Sequence, residues 1–260
     1  MTILYFTSTG NSLYVAKCIA GNLCSIPQVI HSGEFEIKDD AIGFVFPVYG
    51  LTVPPYVLDF VKQVKLQCNY LFAVITYGFY DGGTIDQLMR VAKERKLNFS
   101  YVNKVKMVEN YLPGFEMNKE ISKRPEEKVQ KAIDDICSDI KEKKQWICHN
   151  SAFDRFMTWT HVKNYAYTCG IGMTDKYDIK NTCTSCGICS KVCPMNNIKL
   201  VDLKPQFEKK CISCLACVQN CPENAIHMIN EKSEVRYRNP HISLKDIISA
   251  NQIECDRQES

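Results

Sequence analysis

The order of apolar and polar positions divides the chain near residue 110. Before that point short apolar runs alternate with helical patterns, the signature of a parallel α/β sheet. Strands are predicted at Ile3–Phe6, Ala41–Val48, Tyr70–Thr76 and Tyr101–Val108, with a weaker one near Gln28–Ile30. Ala16, Ile19, Ala20 and Leu23 recur at helical spacing, as do Ile85, Leu88, Met89 and Ala92. Val57, Val61 and Val64 mark a third helix that opens after Pro54-Pro55, with proline at its preferred entry position. After Asn110-Tyr111-Leu112-Pro113-Gly114 the pattern turns helical. Val129, Ile133, Ile136 and Ile140 form one apolar stripe, and Phe153, Phe156, Met157 and Thr160 suggest a second helix. Residues 231–260 are polar, and Asn239-Pro240 breaks the chain before the short apolar segment Leu244–Ile248. The expectation there is an arm that packs back on the body, followed by a disordered end.

Composition narrows the class. A chain of 260 residues has room for one or two domains with cores of their own. With 45% hydrophobic and 23% charged residues it reads as an ordinary soluble protein. No stretch approaches the ~20 apolar residues of a membrane span. Met1-Thr2-Ile3-Leu4-Tyr5-Phe6 has neither a basic region nor a cleavage site and reads as a strand, so a cytoplasmic location is expected. Fifteen cysteines in that setting point to thiolates free to bind metal, and disulfides are not expected.

Eight of those cysteines fall into two copies of one run. Cys183, Cys186, Cys189 and Cys193 are followed by Pro194, and Cys211, Cys214, Cys217 and Cys221 by Pro222. Each copy reads C-x2-C-x2-C-x3-C-P, and the second starts 28 residues after the first. Three cysteines within seven residues can wrap one corner of a cubane, while the proline after the fourth ends the local turn. Paired C-x2-C also binds zinc, but usually as pairs separated by longer loops. The spacing resembles that of bacterial-type ferredoxins with two [4Fe–4S] clusters, in which the fourth cysteine of each run ligates the other cluster. The resemblance implies Cys183, Cys186, Cys189 and Cys221 for cluster I, and Cys211, Cys214, Cys217 and Cys193 for cluster II.

The first strand ends in Thr7-Ser8-Thr9-Gly10-Asn11-Ser12 and runs directly into a helix. Hydroxyls, backbone N–H groups and the positive end of the helix dipole can converge there on a phosphate. Lysine is missing from the position a Walker A loop requires, and the turn is not G-x-G-x-x-G, so a mononucleotide phosphate is preferred. The plainer alternative is a hydroxyl-rich turn that only caps the helix. Tyr5-Phe6-Thr7-Ser8-Thr9-Gly10-Asn11-Ser12 with Ala16 behind it resembles the FMN phosphate loop of flavodoxins. That likeness covers roughly residues 1–110 and implies FMN at the switch point of the sheet, beyond the carboxyl ends of the strands. The matching loops are Phe46-Pro47-Val48-Tyr49-Gly50 and Thr76-Tyr77-Gly78-Phe79-Tyr80-Asp81-Gly82-Gly83. The resemblance therefore assigns cofactor contacts to Thr7, Ser8, Thr9, Gly10, Asn11, Ser12, Pro47, Val48, Tyr49, Gly50, Thr76, Tyr77, Gly78, Tyr80 and Gly83. Tyr49 and one of Tyr77 or Tyr80 are the ring-stacking candidates, although these tyrosines also read as ordinary loop anchors.

The formal charge of +3 changes once cofactors are counted. Two clusters with their thiolates add about −4 and a flavin phosphate about −2, so the loaded chain sits near −3. The slight basic excess is no argument for nucleic acid. Lys191, Lys199, Lys209 and Lys210 offset cluster charge, dock a partner or are simply solvated. Cys18, Cys24, Cys68, Cys137, Cys148, Cys169 and Cys255 show no ligand spacing and are expected as small buried hydrophobes. His31, His149, His161, His227 and His241 form no metal pattern, and no catalytic triad or carboxylate pair is visible.

The whole chain resembles the fused flavodoxin–ferredoxin proteins of anaerobic bacteria and archaea. The fold this implies is a flavodoxin-like doubly wound parallel sheet, a helical connector and a C-terminal α+β bacterial 2[4Fe-4S] ferredoxin domain. Expected boundaries are 1–150 for the FMN-binding domain with its covering helix, 151–175 for the connector, 176–230 for the ferredoxin and 231–260 for the arm. Trp159, Tyr165 and Tyr167 lie between flavin and cluster or form interface core. The implied function is transfer of low-potential electrons between two [4Fe–4S] clusters and an FMN, and to partner oxidoreductases. Tethering makes the encounter of the two modules intramolecular. Two alternatives stand beside it: an FMN-dependent reductase of a quinone, disulfide or unsaturated compound fed by the clusters, and a ferredoxin with a flavin-free docking domain.

Overall fold

Four buried residues form β1 (Thr2–Tyr5), and the chain leaves them through a tight turn into α1 (Asn11–Ile19). There follow β2 (Asn22–Ser25), α2 (Ile26–Ser32), β3 (Glu36–Lys38), β4 (Ala41–Pro47) and α3 (Pro55–Gln63). Next come β5 (Lys65–Gln67), β6 (Tyr70–Tyr77), α4 (Thr84–Glu94) and β7 (Tyr101–Lys106). The first part closes with α5 (Met117–Ser122), α6 (Glu126–Lys141), β8 (Trp146–Ile147) and α7 (Ala152–Thr168). These elements belong to a computed structural model that describes residues 1–168 and 176–251, with side chains up to 162 and from 176.

Six strands pair in the order β2-β1-β4-β6-β7-β8, every neighbour parallel. β3 and β5 form a separate parallel ribbon. Period-2 alternation sorts the side chains of each strand between two layers. Ile3, Tyr5, Val45, Phe72 and Val74 pack with α1 and α6 through Leu13, Ala16, Ile133, Ile136 and Ile140. Leu4, Phe6, Phe44, Phe46, Ala73 and Ile75 pack with α3 and α4 through Val57, Phe60, Val61, Leu88 and Ala92. Both faces are covered, which is why β4 and β6 read as unbroken apolar runs. Strand order reverses between β1 and β4, so the crevice for a ligand lies at the carboxyl ends of these strands.

The C-terminal part contains β9 (Tyr177–Ile179), α8 (Ile188–Lys191), β10 (Ile198–Val201), β11 (Lys204–Phe207), α9 (Ala216–Gln219), β12 (Ile226–Met228) and α10 (Leu244–Asn251). β10 pairs antiparallel with β11, and β12 with β9. The sequence repeat of 28 is a structural repeat. Left-handed backbone recurs at Ser185 and Ser213 (φ 59° and 54°), Asn196 and Asn224 (47° and 49°), and Asp202 and Asn230 (48° and 66°). The architecture is thus a doubly wound α/β sheet joined to a small α+β unit. Val192, Ala216, Ile242 and Ile247 complete the core beneath α1, so the two parts share packed apolar surface. Among the described residues no helix is long and apolar enough to cross a membrane.

Four expectations change. The weak strand near Gln28–Ile30 is instead α2, because Pro27 at its start favours helix entry; the strand is β2, just before it. Leu23 accordingly belongs to β2 and not to the stripe of α1, which ends where Ala20 and Gly21 take φ of 63° and 129°. Trp159, with Phe153 and Phe156, is exposed, so it lies neither between cofactor sites nor in an interface core; the side chains of Tyr165 and Tyr167 lie outside the described residues. Cys18, Cys24, Cys68, Cys137 and Cys148 are half-buried at the margins of the cores, whereas Cys169, Cys255 and the predicted disordered end beyond 251 lie outside the described residues.

Candidate functional site

The two cysteine runs close into two pockets. Cys183, Cys186 and Cys189 line the first together with Cys221 from the other run. Cys211, Cys214 and Cys217 line the second together with Cys193. Each pocket thus takes its fourth thiol from the opposite copy, and the prolines after Cys193 and Cys221 start the turns that carry the chain across. Among the described residues no three His, Cys, Asp or Glu side chains converge tightly enough to hold a single metal ion.

The surroundings of the sulfurs favour a charged group with compensating cations. Burial raises the Cys189 thiol to about 11, with the neighbouring thiols of Cys186, Cys221 and Cys183 adding to it. Burial also lifts Cys214 and Cys217 well above the usual thiol value. Such thiols ionise only if metal cations arrive with them. Backbone N–H groups already point at three of the sulfurs: Asn197 to Cys193 at 3.4 Å, Ala225 to Cys221 at 3.3 Å and Ser213 to Cys211 at 3.4 Å. The Tyr177 hydroxyl lies 3.5 Å from Cys211 Sγ, and its ring stacks on Phe207 at 4.8 Å. Hydrogen bonds to sulfur are one of the means by which a protein sets cluster potential.

A cavity of about 230 Å³ opens at the switch point of the large sheet. Its floor is the turn after β1, through Thr7, Ser8, Thr9, Asn11 and Ser12. Pro47, Val48, Tyr49 and Gly50 form one wall, and Thr76, Tyr77, Gly78 and Tyr80 another. Gly10 and Gly83, expected among the contacts, do not line it. Gly10 (φ +97°) faces away, and a Cβ there would stand 2.9 Å from Ile242 Cβ. Gly83 sits at the start of α4, where its N–H donates to Thr158 Oγ1 at 2.6 Å.

The turn is held open from behind. Asn251 Nδ2 donates to the Thr7 carbonyl at 3.2 Å, Asn220 Nδ2 to the Ser8 carbonyl at 3.1 Å, and the Asn239 N–H to the Thr9 carbonyl at 2.8 Å. In a trans peptide the N–H points opposite to the preceding carbonyl. Three carbonyls drawn outward therefore direct the amides of Ser8 and Thr9 toward the cavity, although that of Gly10 is taken by Thr7 Oγ1 at 3.1 Å. The first turn of α1 carries no acidic residue to oppose an anion. Ser12 Oγ lies 2.8 Å from Thr76 Oγ1, and Tyr49 OH donates to Ser8 Oγ at 3.0 Å. A donor set of amides and hydroxyls without a cation fits a phosphate monoester held by dipoles.

The upper walls are aromatic. Tyr49 packs edge-on against Phe6 with ring centroids 6.0 Å apart, and Lys104 and Lys106 each stand 5.7 Å from the Tyr77 ring centre. Tyr80 donates to Asp154 of α7, which ties its loop to that helix. Gly78 has no room for a side chain, because a Cβ would come within 2.4 Å of Glu109 Cα. That close approach lets the Glu109 carboxylate accept from the Phe79, Asn110 and Tyr111 amides at 2.9, 3.0 and 3.0 Å.

Residues 180–238 match the family model of the 4Fe-4S dicluster domain. The chain therefore carries a 4Fe-4S domain of electron-transport type. No curated protein matches. A crystal structure of a provisionally assigned flavoprotein from Bacteroides uniformis is similar at 13% identity, with a TM-score of 0.31, covering 46% of this chain and 95% of that one.

Several cavity walls were not predicted from the sequence. Val108, Glu109, Asn110 and Tyr111 follow β7, Phe115 and His161 come from farther along, and Ser213, Cys214 and Leu215 belong to the 4Fe-4S domain. Cys214 thus lines both the cavity and the second thiol pocket. The repeat could have drawn attention to residues 213–215, but only tertiary packing puts them against the sheet.

Proposed function

We propose that this chain is an electron-transfer protein that holds two [4Fe–4S] clusters and one FMN and passes low-potential electrons among them and to partner oxidoreductases. Cluster I rests on Cys183, Cys186, Cys189 and Cys221, and cluster II on Cys211, Cys214, Cys217 and Cys193. The FMN phosphate is held by the amides and hydroxyls of Thr7 to Ser12, and the ring by Tyr49, Tyr77 and their neighbours. When bound, the clusters supply one-electron carriers and the flavin a one- or two-electron carrier.

The observation that carries this reading is Cys214, which is a wall of both sites. It supports the order flavin, cluster II, cluster I. The protein's own part is positional. Asn220 and Gln219, next to Cys221, fasten the 4Fe-4S domain to the flavin side, Gln219 Nε2 donating to the Asn110 carbonyl at 2.8 Å. Leu215 and Ser213 keep water from the shared wall, both being buried.

The test is rapid mixing of anaerobic holoprotein with a limiting one-electron donor, following cluster and flavin absorbance separately. Flavin reduction should trail cluster reduction at a rate independent of protein concentration. A rate that rises in proportion to concentration would mean transfer between molecules and would refute the wire.

A further inference from the structure

The repeat that builds the 4Fe-4S domain gives it two equivalent edges, and among the described residues only one is covered by the rest of the chain. Ser213-Cys214-Leu215 faces the cavity of the flavodoxin-like part. Its mate 28 positions earlier, Ser185-Cys186-Gly187, has the same backbone: Ser185 matches Ser213, and Gly187 (φ 74°) matches Leu215 (φ 59°). The first edge is covered, with Ser213 and Leu215 buried, whereas Cys186 is exposed. Glycine at 187 is not forced by conformation, since a leucine adopts that φ at 215. Its effect is to leave the sulfur edge uncovered.

The hairpin over this edge is apolar where solvent meets it. Leu200, Val201 and Leu203 are 42%, 40% and 75% exposed. Leu200 lines the pocket of Cys183, Cys186, Cys189 and Cys221, and the Leu203 carbonyl accepts from Ser185 Oγ, which holds the hairpin tip against the edge. Leu203 is also in left-handed backbone at φ 61°, uncommon for a bulky residue. In the second copy the matching residue is Glu231, half-buried and paired with Arg236 at 2.9 Å. The repeat therefore does not require an apolar residue at 203. Nearby charge is net positive: residues 199–210 carry Lys199, Lys204, Lys209 and Lys210 against Asp202 and Glu208, and Lys199 and Lys210 both meet Glu208, at 2.5 and 3.5 Å.

We infer that Ser185-Cys186-Gly187 with Leu200, Val201 and Leu203 is the docking face for a free flavodoxin-type flavoprotein. This rests on the assignment of cluster I to the first thiol pocket. The occupant is argued from the repeat: the equivalent edge is already seated on the mouth of a flavodoxin-like cavity, so this edge presents the same shape to an external one. The exposed apolar patch replaces the covalent tether with contact area, on the scale of the small interfaces of transient redox pairs, under ~1,200 Å². Leu203 supplies the apolar contact, and the excess of lysine around it attracts an acidic partner.

Titration calorimetry of the cluster-loaded chain with a free, FMN-loaded flavodoxin tests this, with iron and flavin content of the chain measured beforehand. Leu203→Asp should weaken the complex about tenfold or more. Gly187→Leu, which copies residue 215 into a site whose nearest neighbour is Leu200 Cδ1 at 3.5 Å, should weaken it as well. Phe156→Ser, an exposed apolar change elsewhere, should leave it unaltered. No complex, or one indifferent to both edge variants, overturns the proposal. A [2Fe–2S] ferredoxin that binds through Leu203 where the flavodoxin does not assigns the face to an iron–sulfur partner and overturns it too. A chain without flavin that still binds through Leu203 separates this face from the proposed internal wire, and a chain without iron refutes both.

Discussion

Asn220 Nδ2 donates to the carbonyl of Ser8 at 3.1 Å, so the residue before Cys221 holds the turn that floors the cavity at the switch point of the sheet. The same amide group also donates to the Ala216 carbonyl at 2.9 Å, and its oxygen accepts from Arg238 at 3.4 Å. Assembly of the thiol pockets and the shape of the turn after β1 are linked through one buried side chain.

Asn220→Ala leaves the buried Ser8 carbonyl without that partner, a cost of ~1–3 kcal/mol. The expected outcome is a lower urea midpoint together with an FMN affinity reduced about fivefold or more. Free FMN fluoresces and is quenched on binding, so a fluorescence titration reads the second effect. An unchanged FMN affinity would mean that the turn keeps its shape without the 4Fe-4S domain.

Ser12→Ala removes a hydroxyl that lies 2.8 Å from Thr76 Oγ1 on the cavity floor. If the floor binds phosphate, the variant should lose FMN affinity by about tenfold, as for a hydrogen bond to a charged group. Riboflavin, which has no phosphate, should bind wild type and variant alike. Equal losses for both ligands would place the phosphate elsewhere.

Cys186 and Cys214 occupy equivalent positions in different surroundings. Cys186→Ser should lower iron from about eight to about four atoms per chain while FMN is retained. Cys214→Ser should lose a similar amount of iron and also loosen FMN, because that residue is part of the cavity wall. Iron and flavin analysis of the two variants checks the difference.

The arm offers a pH-dependent contact. Burial opposes the charge on Asp246, but bonds from Lys17 at 2.7 Å and from Ser243 outweigh it and bring its pKa down to about 2. A depressed carboxyl stabilises the fold above its unfolded value of about 4, and the effect fades as pH falls toward 2. Partial exposure reduces its size to on the order of 1 kcal/mol. Asp246→Asn should therefore lower the urea midpoint of iron-free chain at pH 7, and the deficit should shrink at pH 3.

Local constraints were legible in the sequence and long-range ones were not. The grouping of the thiols in two pockets could be read because the spacing within each run is local and repeated. The turn after β1 could be read because strand, hydroxyls and helix are contiguous. The packing of Gly10 was not legible: its missing Cβ makes room for Ile242, more than two hundred residues away. Ser213, Cys214 and Leu215 became cavity walls only when the 4Fe-4S domain packed on the sheet. The aromatics of α7 look like core in one dimension, yet Phe153, Phe156 and Trp159 face outward because Thr158 and Asp154 make the contacts with the loop after β6.

The most direct measurement is a cofactor census of protein purified without oxygen, with iron, sulfide and released flavin counted per chain. The account predicts about eight irons, as many sulfides and one FMN. Eight irons without flavin, even after FMN is added, would contradict it and reduce the turn after β1 to a helix cap.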